Sequence, residues 1–331
     1  MFLFVAPNPK ETQKMKRTWK QSALSTAIAA GLVLGMGAAQ AAEIKLMTGP
    51  QGGAWYPLGG AIQNLIQSKI AGTKVQVLPG AGISNVKGVE ASKADLGFGN
   101  AVSTVDGVKG TAPFDAPTKN VCHIGTLYFQ YFQMIALADA GINTPGDAKG
   151  KSLSTQQKGN TGEQMTRAVL EVYGQNYEAL KKISHGSYND SVSQLKDGQA
   201  QIFTLISTIP AASVMDLASA RGIKVLEVPD DKLKALQKIN GGYDKRLVPA
   251  GTYPGQAKDV QTIGTWTHLI ARCDLDEKLV YDITKTLAEN TDNLGAIVKA
   301  VKGMTPKDMS TDVGVPYHKG ALKYYKEAKV L

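Results

Sequence analysis

Gly146-Asp-Ala-Lys-Gly150-Lys151-Ser152 ends as a phosphate-binding loop ends, with a glycine, a lysine and a hydroxyl that could hold a nucleotide and its magnesium. Only three residues separate its glycines where four wrap the phosphates, and the segment leads into a predicted strand where a helix is needed. It therefore reads as a turn. Gly80-Ala81-Gly82-Ile83-Ser84-Asn85 carries two of the three glycines of a dinucleotide fingerprint, but no acidic residue closes a strand at the expected distance. His123, His185, His268 and His318 lie far apart, with no HExxH, no paired cysteines and no acidic cluster at ligand spacing. No GxSxG marks a nucleophilic serine. No cofactor, metal or catalytic group is expected, and each histidine reads as a structural or surface residue.

What recurs instead is a break of small polar residues where a strand gives way to a helix. Thr48-Gly-Pro-Gln-Gly-Gly-Ala-Trp-Tyr-Pro-Leu-Gly-Gly60 is the first; Gly80 to Asn85 and Gly99-Asn100 follow. Gly159-Asn160-Thr161-Gly162 and Ser207-Thr208 repeat the theme further on. Small residues let backbone N–H groups approach a ligand, and a helix start adds free donors and partial positive charge that suit a carboxylate. Read singly, each break is an ordinary turn. Five of them, in two halves that could face each other, predict a cleft, with Thr48, Ser84, Asn85, Asn100 and Ser207 as candidate contacts.

The elements that would position these breaks alternate between strand and helix periods, the mark of α/β layers. After a strand at 43–48, Leu58, Ile62, Leu65, Ile66 and Ile70 form one apolar helix face. Strands are predicted at 75–78 and 94–98, with helices from about Ser84 and from Ala101 to Val108. The apolar stretch from Val121 to Ala138 reads as two strands. The pattern then restarts, with a strand at 151–156 and a helix from Thr161 to Tyr173 that Thr161-x-x-Gln164 could cap and Gly174 could close. A helix from Ser187 to Asp197, a strand from Gln201 to Ile206, a helix opened by Pro210 and a strand from Ile223 to Val228 come next. Ser84 to Val108 and Asn189 to Leu217 echo one another as helix, turn, strand, break, helix, which predicts two similar lobes. A tail strand from about Thr262 to Ile270, followed by helices, would return to the first lobe.

The chain has 331 residues and a formal charge of +9. Residues 1–42 read as an export signal with an upstream extension, Met15 being the expected initiator. Lys16, Arg17 and Lys20 form a basic head, Ala23 to Met36 an apolar run, and Ala39-Gln40-Ala41 a small-x-small cleavage pattern. Cleavage is expected near Ala41 or Ala42. That segment holds five of the 37 basic and one of the 28 acidic residues, so +5 remains on the mature chain. The excess is scattered, with no basic stripe interleaved with aromatics, and gives no argument for nucleic acid. No later stretch is long and apolar enough to span a membrane. Cys122 and Cys273 could pair in an oxidising compartment, although a chain this size has core enough to fold without a bond.

Taken together, six segments resemble the TAXI-type solute-binding subunit of tripartite ATP-independent periplasmic (TRAP) transporters over nearly the whole mature chain. They are Thr48 to Gly60, Ala94-Asp-Leu-Gly-Phe-Gly-Asn100, Leu127-Tyr128, Lys196 to Gln201, Pro249-Ala-Gly-Thr-Tyr-Pro-Gly255 and Pro316 to Ala321. The resemblance implies a two-lobed periplasmic binding fold, type II-like, with a hinge and an interlobe cleft. Lobe I would cover 43–135 and the return at 256–331, and lobe II 136–255. It also implies a monomer that closes on a small carboxylate or amino acid, such as glutamate, glutamine or 2-oxoglutarate, and delivers it to membrane permease subunits. Carried across, Gly52 and Gly53 supply backbone donors, Trp55 and Tyr56 wall the site, and Asn160, Thr161 and Gly162 form the second lobe's share. Family members often have a smaller residue at the position of Asn160, which puts the ligand's identity in doubt. Only four arginines follow residue 42, none of them in these loops, so backbone amides, hydroxyls and Asn side chains must carry recognition. A sensor serving a signalling receptor is the nearest alternative. An enzyme acting on small acids would need an activated nucleophile or acid/base pair, and the sequence shows none.

Overall fold

A computed structural model describes residues 42–331; the expected export signal lies ahead of that range. β1 (Ala42–Met47) buries Ile44 and Leu46 and exposes Glu43 and Lys45, the alternation of a strand with one covered face. α1 (Trp55–Lys69) covers it with Leu58, Ile62, Leu65 and Ile66, the predicted apolar face. β2 (Thr73–Leu78), α2 (Gly82–Glu90), β3 (Leu96–Asn100) and α3 (Ala101–Lys109) follow. The second half contains β5 (Ser152–Gln156), α4 (Thr161–Val172), β6 (Lys182–Gly186), α5 (Tyr188–Lys196), β7 (Ile202–Ser207), α6 (Ala212–Ala220), β8 (Ile223–Val225), α7 (Asp230–Ile239) and β9 (Asp244–Val248). Two long strands link the halves, β4 (Val121–Leu137) and β10 (Val260–Arg272); α8 (Glu277–Ala288) and α9 (Lys319–Glu327) are the main helices of the tail.

The strand order is β2-β1-β3-β10-β4-β7-β5-β6. Read inward from either end it repeats: β2-β1-β3 meets the antiparallel β10, and β6-β5-β7 meets the antiparallel β4. The sequence echo corresponds to this, since α2-β3-α3 and α5-β7-α6 occupy equivalent places. The long strands pair with each other along most of their shared length. β4 gives Ile124 and Leu127 to a core shared with Ile44, Leu58, Ile283 and Tyr325, and Phe132 and Met134 to a core shared with Leu153, Met165, Ile202 and Leu236. Chain that belongs to two cores in turn is where a hinge between them can lie.

Four local expectations are corrected. The stretch from Val121 to Ala138 forms one strand, Val121–Leu137, because its apolar residues serve two cores in succession; its ladder with β10 shifts register at two places without ending the strand. Thr161 does not cap α4: Asn160 does, its Oδ1 accepting from Gly162 N at 2.8 Å, which frees the Thr161 hydroxyl. Pro210 does not open α6, whose first residue is Ala212; the Ile209–Pro210 peptide is cis. α2 starts at Gly82, ahead of Ser84. Cys122 and Cys273 are bonded, tying the start of β4 to the turn after β10. The Pro249 to Gly255 segment acts as a plug: Tyr253 is buried, its hydroxyl accepting from Ala211 N at 2.9 Å and donating to Gln133 Oε1 on β4.

Candidate functional site

In both halves the loops after the parallel strands face the opposite half, the position where open α/β sheets bind ligands. They enclose a cavity lined by Pro50, Gly53, Ala54 and Trp55 from the loop after β1, Asn100 from the end of β3, Gln130 from β4, Asn160 ahead of α4, Tyr188 at the start of α5, and Ile206 and Ser207 from β7. The space open to water-sized centres is about 20 Å³. A solute of more than a few atoms therefore enters only when the lobes part. Four helices, α1, α3, α4 and α5, begin at residues that line or adjoin this cavity; Val102 N, Gly162 N and Asp190 N are already taken by Thr265, Asn160 and Ser187, and the remaining first-turn N–H groups and the positive dipole ends gather at one small volume.

Trp55 stacks on Phe98 with centroids 5.3 Å apart and lines the cavity. The Gln130 amide is satisfied when its oxygen faces Trp55 Nε1, at 2.5 Å, and the Thr267 hydroxyl, and its nitrogen donates to Ile206 O at 3.3 Å. Tyr188 donates from its hydroxyl to Ile206 O at 2.8 Å, and burial pushes its ionisation well up. Asn100 is 3% exposed, and its Oδ1 has no partner among the described residues. An unpaired buried acceptor costs about 1–3 kcal/mol, so a donor arriving there is strongly rewarded.

Of the sequence-derived candidates, Gly53, Trp55, Asn100, Asn160 and Ser207 line this cavity. Gly52, with φ of +80°, takes the left-handed turn that lays the loop against Tyr188 and Asn189 of the other half. Ser84 closes the cleft, with N and Oγ both donating to Gly159 O at 3.0 and 3.2 Å. Thr161 Oγ1 meets Ser103 Oγ at 2.6 Å across the lobes. Gly162 packs on the Gln156 amide behind the cavity wall. Thr48 and Asn85 sit one layer behind: Asn85 Nδ2 donates to Thr48 O and Phe98 O at 2.8 and 2.9 Å, and Thr48 donates to Leu78 O, fastening three strand ends. Tyr56 is 44% exposed and does not line the cavity. Gln130 and Tyr188 escaped the sequence reading. Gln130, one of two amides with Gln133 in an otherwise largely apolar hinge strand, carried a usable signal; Tyr188, one residue past a capping serine, carried none.

A family model described as the NMT1-like family matches residues 46–328. The chain belongs to the NMT1-like family. Among solved structures, PhnD1 from Prochlorococcus marinus in complex with methylphosphonate is similar at TM-score 0.54 and 11% identity, over 88% of this chain and 100% of that one. The periplasmic binding protein BugD is similar at TM-score 0.54 and 14% identity, over 87% and 94%, and a periplasmic transporter at TM-score 0.52 and 11% identity, over 87% and 92%. The fold is thus that of two-lobed periplasmic binding proteins. No helix among the described residues of this NMT1-like chain is long and apolar enough to cross a membrane.

Closure leaves little tolerance at Gly82, the first residue of α2. A Cβ there would collide with Thr161 Oγ1 of the opposite lobe and lie 2.8 Å from Asn100 Nδ2. Gly82→Ala in this NMT1-like chain should therefore hold the lobes apart while each lobe stays folded. Small-angle scattering should show the mutant extended whatever solute is added, with a circular-dichroism spectrum like wild type; a mutant as compact as wild type would refute the closure geometry.

Proposed function

We propose that the chain is an extracytoplasmic solute-binding protein, the TAXI-type subunit of a TRAP transporter, which captures a small carboxylate or amino acid by lobe closure and hands it to membrane permease subunits. The observation that carries this reading is the convergence of four helix N-termini and the unpartnered Asn100 Oδ1 on one interlobe cavity. The dipoles favour a carboxylate without an arginine, and Asn100 Oδ1 favours a second group bearing N–H or O–H. Glutamate, glutamine or a 2-oxoglutarate-like acid fits that pairing of features. In this reading lobe I comprises 43–135 and 256–331, lobe II comprises 136–255, and the hinge lies in β4 and β10. Residues 1–42 direct export to the periplasm and are removed. The lining contributes no histidine, cysteine, lysine or carboxylate, and its one ionisable side chain, Tyr188, is kept neutral by burial and already donates to Ile206 O.

Ligand that binds only the folded state raises its melting temperature by mass action. A thermal-shift screen of L-glutamate, L-glutamine, 2-oxoglutarate and C4 to C6 dicarboxylates at millimolar concentration should give a rise of several degrees with at least one. Asn100→Ala should weaken that ligand about tenfold or more, the loss of one buried hydrogen bond to a charged or strongly polar group. No shift with any of these acids would count against the assignment. Turnover of the ligand, followed by mass spectrometry, would replace it with an enzyme.

A further inference from the structure

We infer that α3 is a latch: Ser103 and Asp106, which do not line the ligand cavity, hold the closed state together against the second lobe and so set affinity for every ligand alike. The inference rests on the two-lobed binding reading, but its contacts are separate from the ligand's. One face of α3 is applied to the opposite half at three levels. At its first turn Val102 is buried in the second lobe's apolar core with Met165, Leu236 and Tyr243, and Gly242 has no side chain where Val102 lies 3.4 Å away. One residue on, Ser103 Oγ and Thr161 Oγ1 are 2.6 Å apart and fully buried. One turn further, Asp106 Oδ1 accepts from Asn240 Nδ2 at 2.9 Å.

Residues that begin in different lobes and meet only on closure contribute to the closed state and to nothing in the open one. Hydrophobic, hydroxyl and carboxylate contacts line up at i, i+1 and i+4 of a single helix, the spacing that gives one helix face. Asp106 is the telling member, because burial raises its proton affinity. A half-buried carboxylate is an unfavourable thing to place at an interface unless its partners return the lost hydration. Thr111, on its own side of the cleft, also donates to Asp106 Oδ1 at 3.0 Å and keeps the side chain aimed at Asn240 when the lobes separate. Because the ligand binds only the closed form tightly, any change in the closed fraction multiplies the apparent affinity for every solute by the same factor.

The test needs no ligand. Ser103→Cys together with Thr161→Cys places two thiols where the hydroxyls touch, so the full mature chain, treated with diamide, should form a 103–161 disulfide. Peptide mapping should find it beside the intact Cys122–Cys273 bond. Its rate reports how often the closed arrangement is visited. Adding Asp106→Ala to this pair should slow cross-linking about fivefold, Asn240→Ala should do the same from the other lobe, and the two together should be no slower than either alone. Absence of the 103–161 bond would overturn the inference, as would rates unmoved by both substitutions or effects that simply multiply. A chain that cross-links as described, yet shows no melting-temperature shift with any acid in the screen, would keep the latch and lose the proposed ligand class.

Discussion

Replacing Cys122 and Cys273 by serine is expected to lower the thermal midpoint of the mature protein by roughly 4–8 °C. The bond joins positions 151 residues apart in sequence. In the chain-entropy description a loop of that length removes about 5 kcal/mol of freedom from the unfolded chain, of which engineered and native bonds typically deliver 2–4 kcal/mol. Each kcal/mol moves the midpoint of a domain this large by about 2 °C. The native state should change little when the bond is absent, because its two ends are already neighbours: Cys122 pairs with Ala271 in the β4–β10 ladder, and Cys273 N donates to Asn120 O. Arg272, bridged to Asp95 and Asp274, holds the same corner electrostatically. The destabilisation should thus appear in melting curves and as a matching fall in urea midpoint, with the affinity for any ligand found in the thermal-shift screen unchanged. A double serine variant that melts with wild type would mean that the pairing of β4 with β10 already restricts the unfolded ensemble at this point.

The sequence showed the cleft in outline before it showed which residues face it. Strand signals located β1, β3 and β7 within a residue or two, and the helix period located the buried face of α1: β1 and α1 cover one face and their apolar spacing records it, whereas β3 and β7 are buried throughout and stood out as short apolar runs between turn residues. β4 was harder: its residues serve two cores in turn, and a continuous apolar run carries no sign of where one core ends and the next begins. The breaks at Gly80, Gly99, Gly159 and Ser207 were legible because glycine, asparagine and serine mark strand-to-helix turns for local reasons. Which of their side chains points into the cavity and which fastens the backbone behind it depends on pairings between distant segments. Asn85 and Asn100 look alike in sequence, each in a glycine-rich break. The first spends its amide on Thr48 O and Phe98 O, and the second keeps an acceptor free. The capping box at Thr161 failed for a related reason: Asn160 competes for the same role, and only the opposite lobe's Ser103 shows what the freed hydroxyl is for.

Acid should weaken the protein well before its carboxylates titrate, because of two histidines the sequence left as structural residues. His123 on β4 and His268 on β10 are both fully buried, with their Nδ1 atoms 2.9 Å apart. The hydrogen-bond partners fix the tautomers. Thr104 donates to Asn100 O at 3.1 Å, so its oxygen accepts from His268 Nε2–H at 2.8 Å; His268 Nδ1 must then accept from His123 Nδ1–H. His123 Nε2 is left as a buried lone pair with no partner among the described residues. Burial holds both rings far below the ordinary histidine value of 6.5, and His123 further disfavours charge on His268. The folded state therefore binds fewer protons than the unfolded one. Stability is fully present above pH 6.5 and is lost as pH falls below it, by about 1.4 kcal/mol per pH unit for each ring that stays neutral. Burial lowers His318 as well, which adds to the slope, whereas Asp106, raised by burial, opposes it lower down. Asp147, Asp190 and Asp308, all held low by backbone and side-chain donors, give up their contributions only below their ordinary 3.8. Between pH 7.5 and 5 the His123–His268 pair alone should then remove roughly 4 kcal/mol from the unfolding free energy. His268→Gln should be less stable than wild type at pH 7.5 but lose clearly less between pH 7.5 and 5, and His123→Gln likewise, in urea titrations at each pH. Slopes equal to wild type in both variants would place the acid sensitivity elsewhere. Since Thr104 leads from His268 to the carbonyl of Asn100, the same variants show whether the pair also steadies the cavity wall: if it does, the midpoint of any ligand's thermal shift moves with them at pH 7.5.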